Sequence, residues 1–120
     1  MEAMQDLVRT YLESWNEKDA KARRSTIDRI FAEQCTYVDP NAGVAGRDGI
    51  DALLEAVQKQ FSGVVFVLAG AVDSHHEVAR FTWHAMAPGL IAPVAIGFDV
   101  LVTEGGRIRE VVGFLDKAPS

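Results

Sequence analysis

The chain has 120 residues, 48% of them apolar and 24% charged, with 10 glycines and 4 prolines. That composition excludes disorder and fibrous repeats, and the length suits one domain, residues 1–120, around one core. Twelve basic against seventeen acidic residues leave a net charge of −5, which excludes the basic footprint that nucleic acid requires. A single cysteine, Cys35, forbids an internal disulfide and fits a reducing compartment, the cytoplasm. Charges at Glu2, Asp6 and Arg9 interrupt the apolar core of any signal peptide, and the longest apolar run, residues 64–72, is too short for a bilayer; no membrane association is expected.

Met4, Leu7, Val8, Tyr11, Leu12 and Trp15 recur at helical spacing and predict an amphipathic first helix. The polar run Asn16–Asp19 ends it, and Asp19 is a good N-cap for a second helix. There Ile27, Ile30 and Phe31 face inward, while Arg23 and Arg24 are expected in solvent. Cys35–Val38 reads as a short strand ended by the turn formers Asp39, Pro40 and Asn41. Residues 41–47 read as a loop. A third helix carries Ile50, Leu53, Leu54, Val57 and Phe61 on one face, with Asp48 as its cap and Asp51 favouring the N-terminal dipole. After Gly63 β-branched and aromatic residues dominate. Turn signals at 73–74, 88–89 and 105–106 then separate four strands, about 64–72, 76–86, 92–103 and 107–116.

The order α-α-β-α-β-β-β-β predicts an α+β domain with a largely antiparallel sheet. The strand at 92–103 is apolar on both faces: Val94, Ile96, Phe98, Val100 and Val102 on one, Ala95, Gly97 and Leu101 beside Asp99 on the other. Three helices cover one face of a sheet well, so a second copy packed sheet to sheet is expected to cover the other, making a homodimer.

Asp99 stands among small and apolar neighbours on its face of the strand, where burial raises the pKa of a carboxyl. An arginine such as Arg80 or Arg109 could instead hold it as an ion pair. Asp39 ends a strand before Pro40, where turn chemistry alone explains an aspartate. Tyr11 lies on the apolar stripe of the first helix, the usual place of a core tyrosine. In this architecture the three surround one space.

The motifs Trp15-Asn16-Glu17, Tyr37-Val38-Asp39-Pro40, Gly46-Arg47, Gly97-Phe98-Asp99, Gly106-Arg107-Ile108 and Gly113-Phe114 resemble the SnoaL-like members of the nuclear transport factor 2-like superfamily. The resemblance covers nearly the whole chain. It implies a cystatin-like cone: three N-terminal helices on a curved, mostly antiparallel sheet, enclosing an apolar pocket. The same scaffold hosts isomerases, cyclases, hydrolases and non-catalytic proteins, so the fold does not decide the activity. The nearest catalytic pattern is that of ketosteroid isomerase, a worked case of carboxyl pKa tuning. By that resemblance Asp39 is the general base, and Tyr11 and Asp99 donate to the developing oxyanion. The implied ligand is a small apolar carbonyl compound, and no cofactor is implied. The alternative is a non-catalytic binding or dimerisation module of the same fold.

Other chemistries fit less well. An epoxide hydrolase of this superfamily needs an Arg-x-Asp pair, but Thr82 stands two residues after Arg80; an aromatic polyketide cyclase wants an acid near Gly113. In the register favoured for the last strand, Val111, Gly113 and Leu115 face the pocket, with Trp15, Phe61 and Trp83 as further lining. His75 and His76 are neighbours at a turn and point apart, so a solvated hairpin is expected rather than a metal pair. His84 shares its parity with Arg80 and Thr82 and is expected on the solvent face, and Cys35 reads as a small buried hydrophobe.

Overall fold

A computed structural model describes residues 2–119, Glu2 by its backbone alone. The first apolar stripe forms α1 (Glu2–Asn16), which buries Val8, Tyr11, Leu12 and Trp15. Its last residue is locked to the sheet: Asn16 Nδ2 donates to the Phe66 carbonyl at 2.8 Å, and the Phe66 N–H donates to Asn16 Oδ1 at 2.8 Å. Asp19 caps α2 (Ala20–Ile30) as expected, accepting from the Ala22 N–H at 2.9 Å.

Arg23 contradicts its expected exposure. It is 2% exposed, donating from Nε to Asp51 at 2.9 Å and from the guanidinium to Gln58 at 3.2 Å and Glu55 at 3.4 Å. All three partners lie on α3 (Gly46–Gln60), so this side chain bolts two helices together. Asp51 therefore serves an ion pair rather than the helix dipole alone. Asp48 is not the cap either: Ala45 holds that position without a side-chain bond, and Asp48 accepts from Arg24 at 2.6 Å.

The strand predicted at Cys35–Val38 is longer, β1 (Phe31–Asp39), because Phe31 closes α2 in extended conformation and enters the sheet. The segment expected as a loop contains a strand, β2 (Ala42–Ala45), paired antiparallel to β1 with Asp39 opposite Ala42. Strands β3 (Val65–His75), β4 (Val78–Met86), β5 (Ala95–Glu104) and β6 (Arg107–Lys117) follow. The turn signal at Asp73-Ser74 is overridden: β3 runs on to His75, and the reversal falls at His76, whose φ is +49°.

The six strands lie in the order β2-β1-β6-β5-β4-β3, antiparallel except for the parallel pair β1 and β6. The register breaks in β1, β3 and twice between β5 and β6, and such bulges bend strands and deepen twist. The result is a curved, unclosed sheet with three helices in its concavity, the cone-shaped α+β fold. Tyr11, Ile27, Phe31, Ile50, Leu54, Phe81, Leu101, Ile108 and Val111 form the dry centre of the core. The outer face carries Val38, Val65, Val67, Phe98, Val100, Val112 and Phe114, of which Phe114 is 53% exposed. His84 lies on that face, and His75 and His76 are exposed at the hairpin. Among the described residues no helix is long and apolar enough to cross a membrane.

Candidate active site

Tyr37 and Asp39 alternate with Val38 on β1, so their side chains share the concave face. Asp99 lies on the concave face of β5, opposite Gly113 of β6 and Phe81 of β4. Between these strands and the helices lies a cavity of about 130 Å³. Leu12 and Trp15 wall it from α1, Val57 and Phe61 from α3 and its end, and Phe66, Trp83 and Leu115 from the sheet. The rings of Tyr37, Trp15, Phe66 and Trp83, in that order, form a continuous arc, with successive centroids 5.4–5.8 Å apart. Asp39 and Asp99 both line this chamber, with the polar groups of Tyr37 and Asn41.

The two carboxyls are held differently. Asp39 sits in a tight turn: its Oδ1 accepts from the N–H groups of Asn41 at 2.7 Å and Ala42 at 2.8 Å, and its Oδ2 from the Tyr37 hydroxyl at 2.5 Å. Two of these donors are the turn chemistry that an Asp-Pro-Asn sequence favours. Asp99 is 3% exposed and, among the described residues, is bonded to no cation. Its Oδ1 accepts from Trp83 Nε1 at 3.1 Å and its Oδ2 from the Tyr11 hydroxyl at 3.3 Å. Arg80, one candidate ion-pair partner, is bonded instead to Asp73 at 2.9 Å.

Burial dominates the electrostatics of Asp99 and pushes its pKa up to about 7; the Trp83 and Tyr11 donors pull it down, and the nearby Asp39 charge pushes it up again. Burial likewise raises the phenol of Tyr11 well above its ordinary value, reinforced by the Asp99 charge, so Tyr11 stays a donor. Tyr37 is raised by burial and by its bond to Asp39. The chamber thus pairs one carboxyl poised near neutrality with another fixed by three donors. In an apolar surround, such a pair can give and take protons.

Two glycines make this geometry possible. A Cβ on Gly97 would lie 2.0 Å from the Trp83 ring, so only glycine lets the indole lie across β5 toward Asp99. A Cβ on Gly113 would lie 2.9 Å from Asp99 Oδ1 and 3.4 Å from the Asp39 Cβ, so Gly113 keeps space free between the carboxyls.

Of the residues expected at the site, Asp39, Asp99, Trp15, Phe61, Trp83 and Leu115 line the chamber. Tyr11 does not: it is 1% exposed and lies behind Asp99, reaching the site only through that carboxyl. Val111 does not either. It is fully buried in the core, between its strand neighbours Leu101 and Tyr37, two residues before Gly113 on β6. Tyr37 was not singled out as a site residue, though its two-residue spacing from Asp39 on a strand is a sufficient signal. Phe66 and Val57 carry no comparable signal.

The geometry has relatives. A structure of a proposed isomerase of the SnoaL-like family from Agrobacterium tumefaciens is 42% identical, with 97% of this chain and 99% of that one covered and a TM-score of 0.92. A proposed ketosteroid isomerase from Kribbella flavida superposes with a TM-score of 0.74 at 16% identity, covering 99% of this chain and 82% of its own. A de novo designed protein with a curved β-sheet reaches 0.75 at 9% identity, over 96% of this chain and 86% of its own. None of the curated proteins matches this chain. The model of the SnoaL-like domain matches residues 8–111, nearly the whole fold, and on that match and the 42% identity the chain belongs to the SnoaL-like family.

Proposed function

We propose that the chamber binds a small apolar carbonyl compound and moves a proton on it without a cofactor. The observation that carries this reading is the convergence of Asp39 and Asp99 on one aromatic-walled cavity. Asp39 takes a proton from the carbon α to the carbonyl. The C–H electron pair becomes the enolate double bond, and charge moves to the oxygen, where protonated Asp99 donates a hydrogen bond. Return of the proton from Asp39 to a different carbon completes an isomerisation. Tyr11 positions Asp99 from behind the chamber, and Trp83 both holds Asp99 through its indole N–H and lines the chamber. A cavity of about 130 Å³ suits a single ring, since a cavity of about 150 Å³ holds benzene.

Cyclohex-3-enone tests the scheme, because its conjugated isomer is read by ultraviolet absorbance and α-proton exchange by NMR in D2O. Conversion above buffer, lost in Asp39→Asn and Asp99→Leu, is expected. The absence of both conversion and exchange would sink the catalytic reading. One observation favours the alternative, a binding module without turnover: Asp39 already accepts three hydrogen bonds from Tyr37, Asn41 and Ala42, the pattern of a residue that holds its own turn.

Two further expectations stay part of the proposal. A second copy of the chain covers the outer sheet face, on the ground of the aliphatic and aromatic side chains exposed there. The compartment is the cytoplasm, on the ground of a free buried cysteine.

A further inference from the structure

A second recess, about 280 Å³, lies beside the chamber. Val94 and Pro119 line both, so the two adjoin. We infer that this recess is a second subsite and takes the anionic end of an elongated ligand whose apolar carbonyl end enters the chamber. The inference rests on the chamber being a ligand site, as proposed above.

Charge sets the orientation. The ionisable acids of the inner chamber are Asp39 and Asp99, and an anion there meets them in a poorly solvated space. Among the described residues lining the two cavities, Lys117 is the one cation, and it lies in the outer recess. Its Nζ donates to the Pro93 carbonyl at 2.9 Å. An ammonium has three donors, so this bond fixes the side chain at the rim and leaves two for a ligand.

Apolar surface supports the same path. Leu90 is 56% exposed and Ile91 98% exposed, both in the wall of the recess. Large aliphatic side chains left open beside a cavity are surface that a ligand's hydrocarbon can cover. Length is consistent too: within β5 Asp99 and Ala95 are four residues apart, roughly 13 Å of extended chain, and the adjacent Val94 lines the recess. A compact ring fills the inner chamber only, whereas a ligand with an apolar tail and a terminal carboxylate or similar anion engages both.

Decanoate and decanamide test this with one hydrocarbon and two head groups. Trp15 and Trp83 line the chamber, so their fluorescence reports entry. Decanoate should bind about two- to fivefold more tightly than decanamide, the scale of an exposed ion pair. That preference should vanish in Lys117→Gln, survive in Lys117→Arg and shrink in 0.5 M salt. Decanamide binding should not change in either variant. Equal affinity of the two probes, or a preference that persists in Lys117→Gln, overturns the subsite while leaving the chamber reading intact. Failure of both probes to perturb the tryptophans overturns the chamber reading and the subsite with it.

Discussion

Asp99 holds its proton up to about neutrality because burial disfavours its charge, and this has a thermodynamic signature. Its folded pKa of about 7 lies above the ordinary 3.8, so the native state binds the proton more tightly than the unfolded chain does. The stabilisation is fully present below pH 4 and is lost as pH rises through about 7. The whole effect is on the order of 4 kcal/mol at most. Asn keeps the size and a donor but cannot ionise, so Asp99→Asn should match the unmutated protein at pH 4 and exceed it at pH 8. Denaturant unfolding across that range checks the sign; a stability difference that stays flat with pH would show Asp99 does not titrate. The same residue should prefer an oxyanion. A 4-alkylphenol should bind roughly tenfold more tightly than the matching alkylbenzene, since a hydrogen bond involving charge contributes about 1.5–3 kcal/mol. Asp99→Leu should erase that difference in titrations followed by tryptophan fluorescence, and an unmutated protein indifferent to the hydroxyl would leave only an apolar cavity.

Between elements, contacts that sequence periodicity does not encode set the geometry. The stripe from Met4 to Trp15 declares α1, and alternation declares β5 and β6, because each element's exposure pattern is a local property. Arg23 was invisible by the same logic: an arginine on a helix is solvated by default, and only the arrival of Asp51, Glu55 and Gln58 from α3 buries it. Phe31 continues the helical spacing of Ile27 and Ile30, so its place in β1 was hidden. Ala42–Ala45 is short and rich in small residues and reads as strand only once β1 is beside it. At the site, Asp39 and Asp99 were legible from their positions at a strand end and on an apolar face. The depth of Tyr11 and Val111 was not, because periodicity gives the direction of a side chain and not what stands in front of it. Arg23→Ala should cost roughly 2–3 kcal/mol in denaturant unfolding, less than a fully enclosed pair, because Asp51 and Glu55 keep access to water. Arg23→Met, which keeps much of the volume, should cost less. Gly97→Ala should expel the Trp83 indole from β5, destabilise by about 1–3 kcal/mol and shift tryptophan emission. Unchanged emission would mean that the ring does not depend on that glycine.

At the scale of the molecule, the sheet has one face filled by helices, and none of the described helices covers the other. Phe114 at 53%, Val38 at 46%, Val65 at 45% and Val67 at 40% exposure share the convex side with Phe98 and Val100. If a second copy covers this surface, light scattering should give twice the chain mass of 13.1 kDa. Phe114→Asp should return that value to the monomer without disturbing the concave chamber, since the side chain points away from Asp99. A particle of 13.1 kDa in the unmutated protein at micromolar concentration would remove the dimer from the proposal.

The last strand in the chain is not an edge of the sheet. β6 lies between β1 and β5, and Tyr37 pairs with Val111 across 74 positions of sequence. During folding the hairpins of β3, β4 and β5 can zip locally, whereas β1 and β2 have no place to dock until the final segment arrives. Contacts this distant in sequence incur a loop-closure cost before they return any stability, which slows folding toward the millisecond-to-second range. A chain cut after Glu104 would therefore lose more than a terminal strand: its sheet would divide into two unconnected pieces, with the Asp39 turn on one and Asp99 on the other.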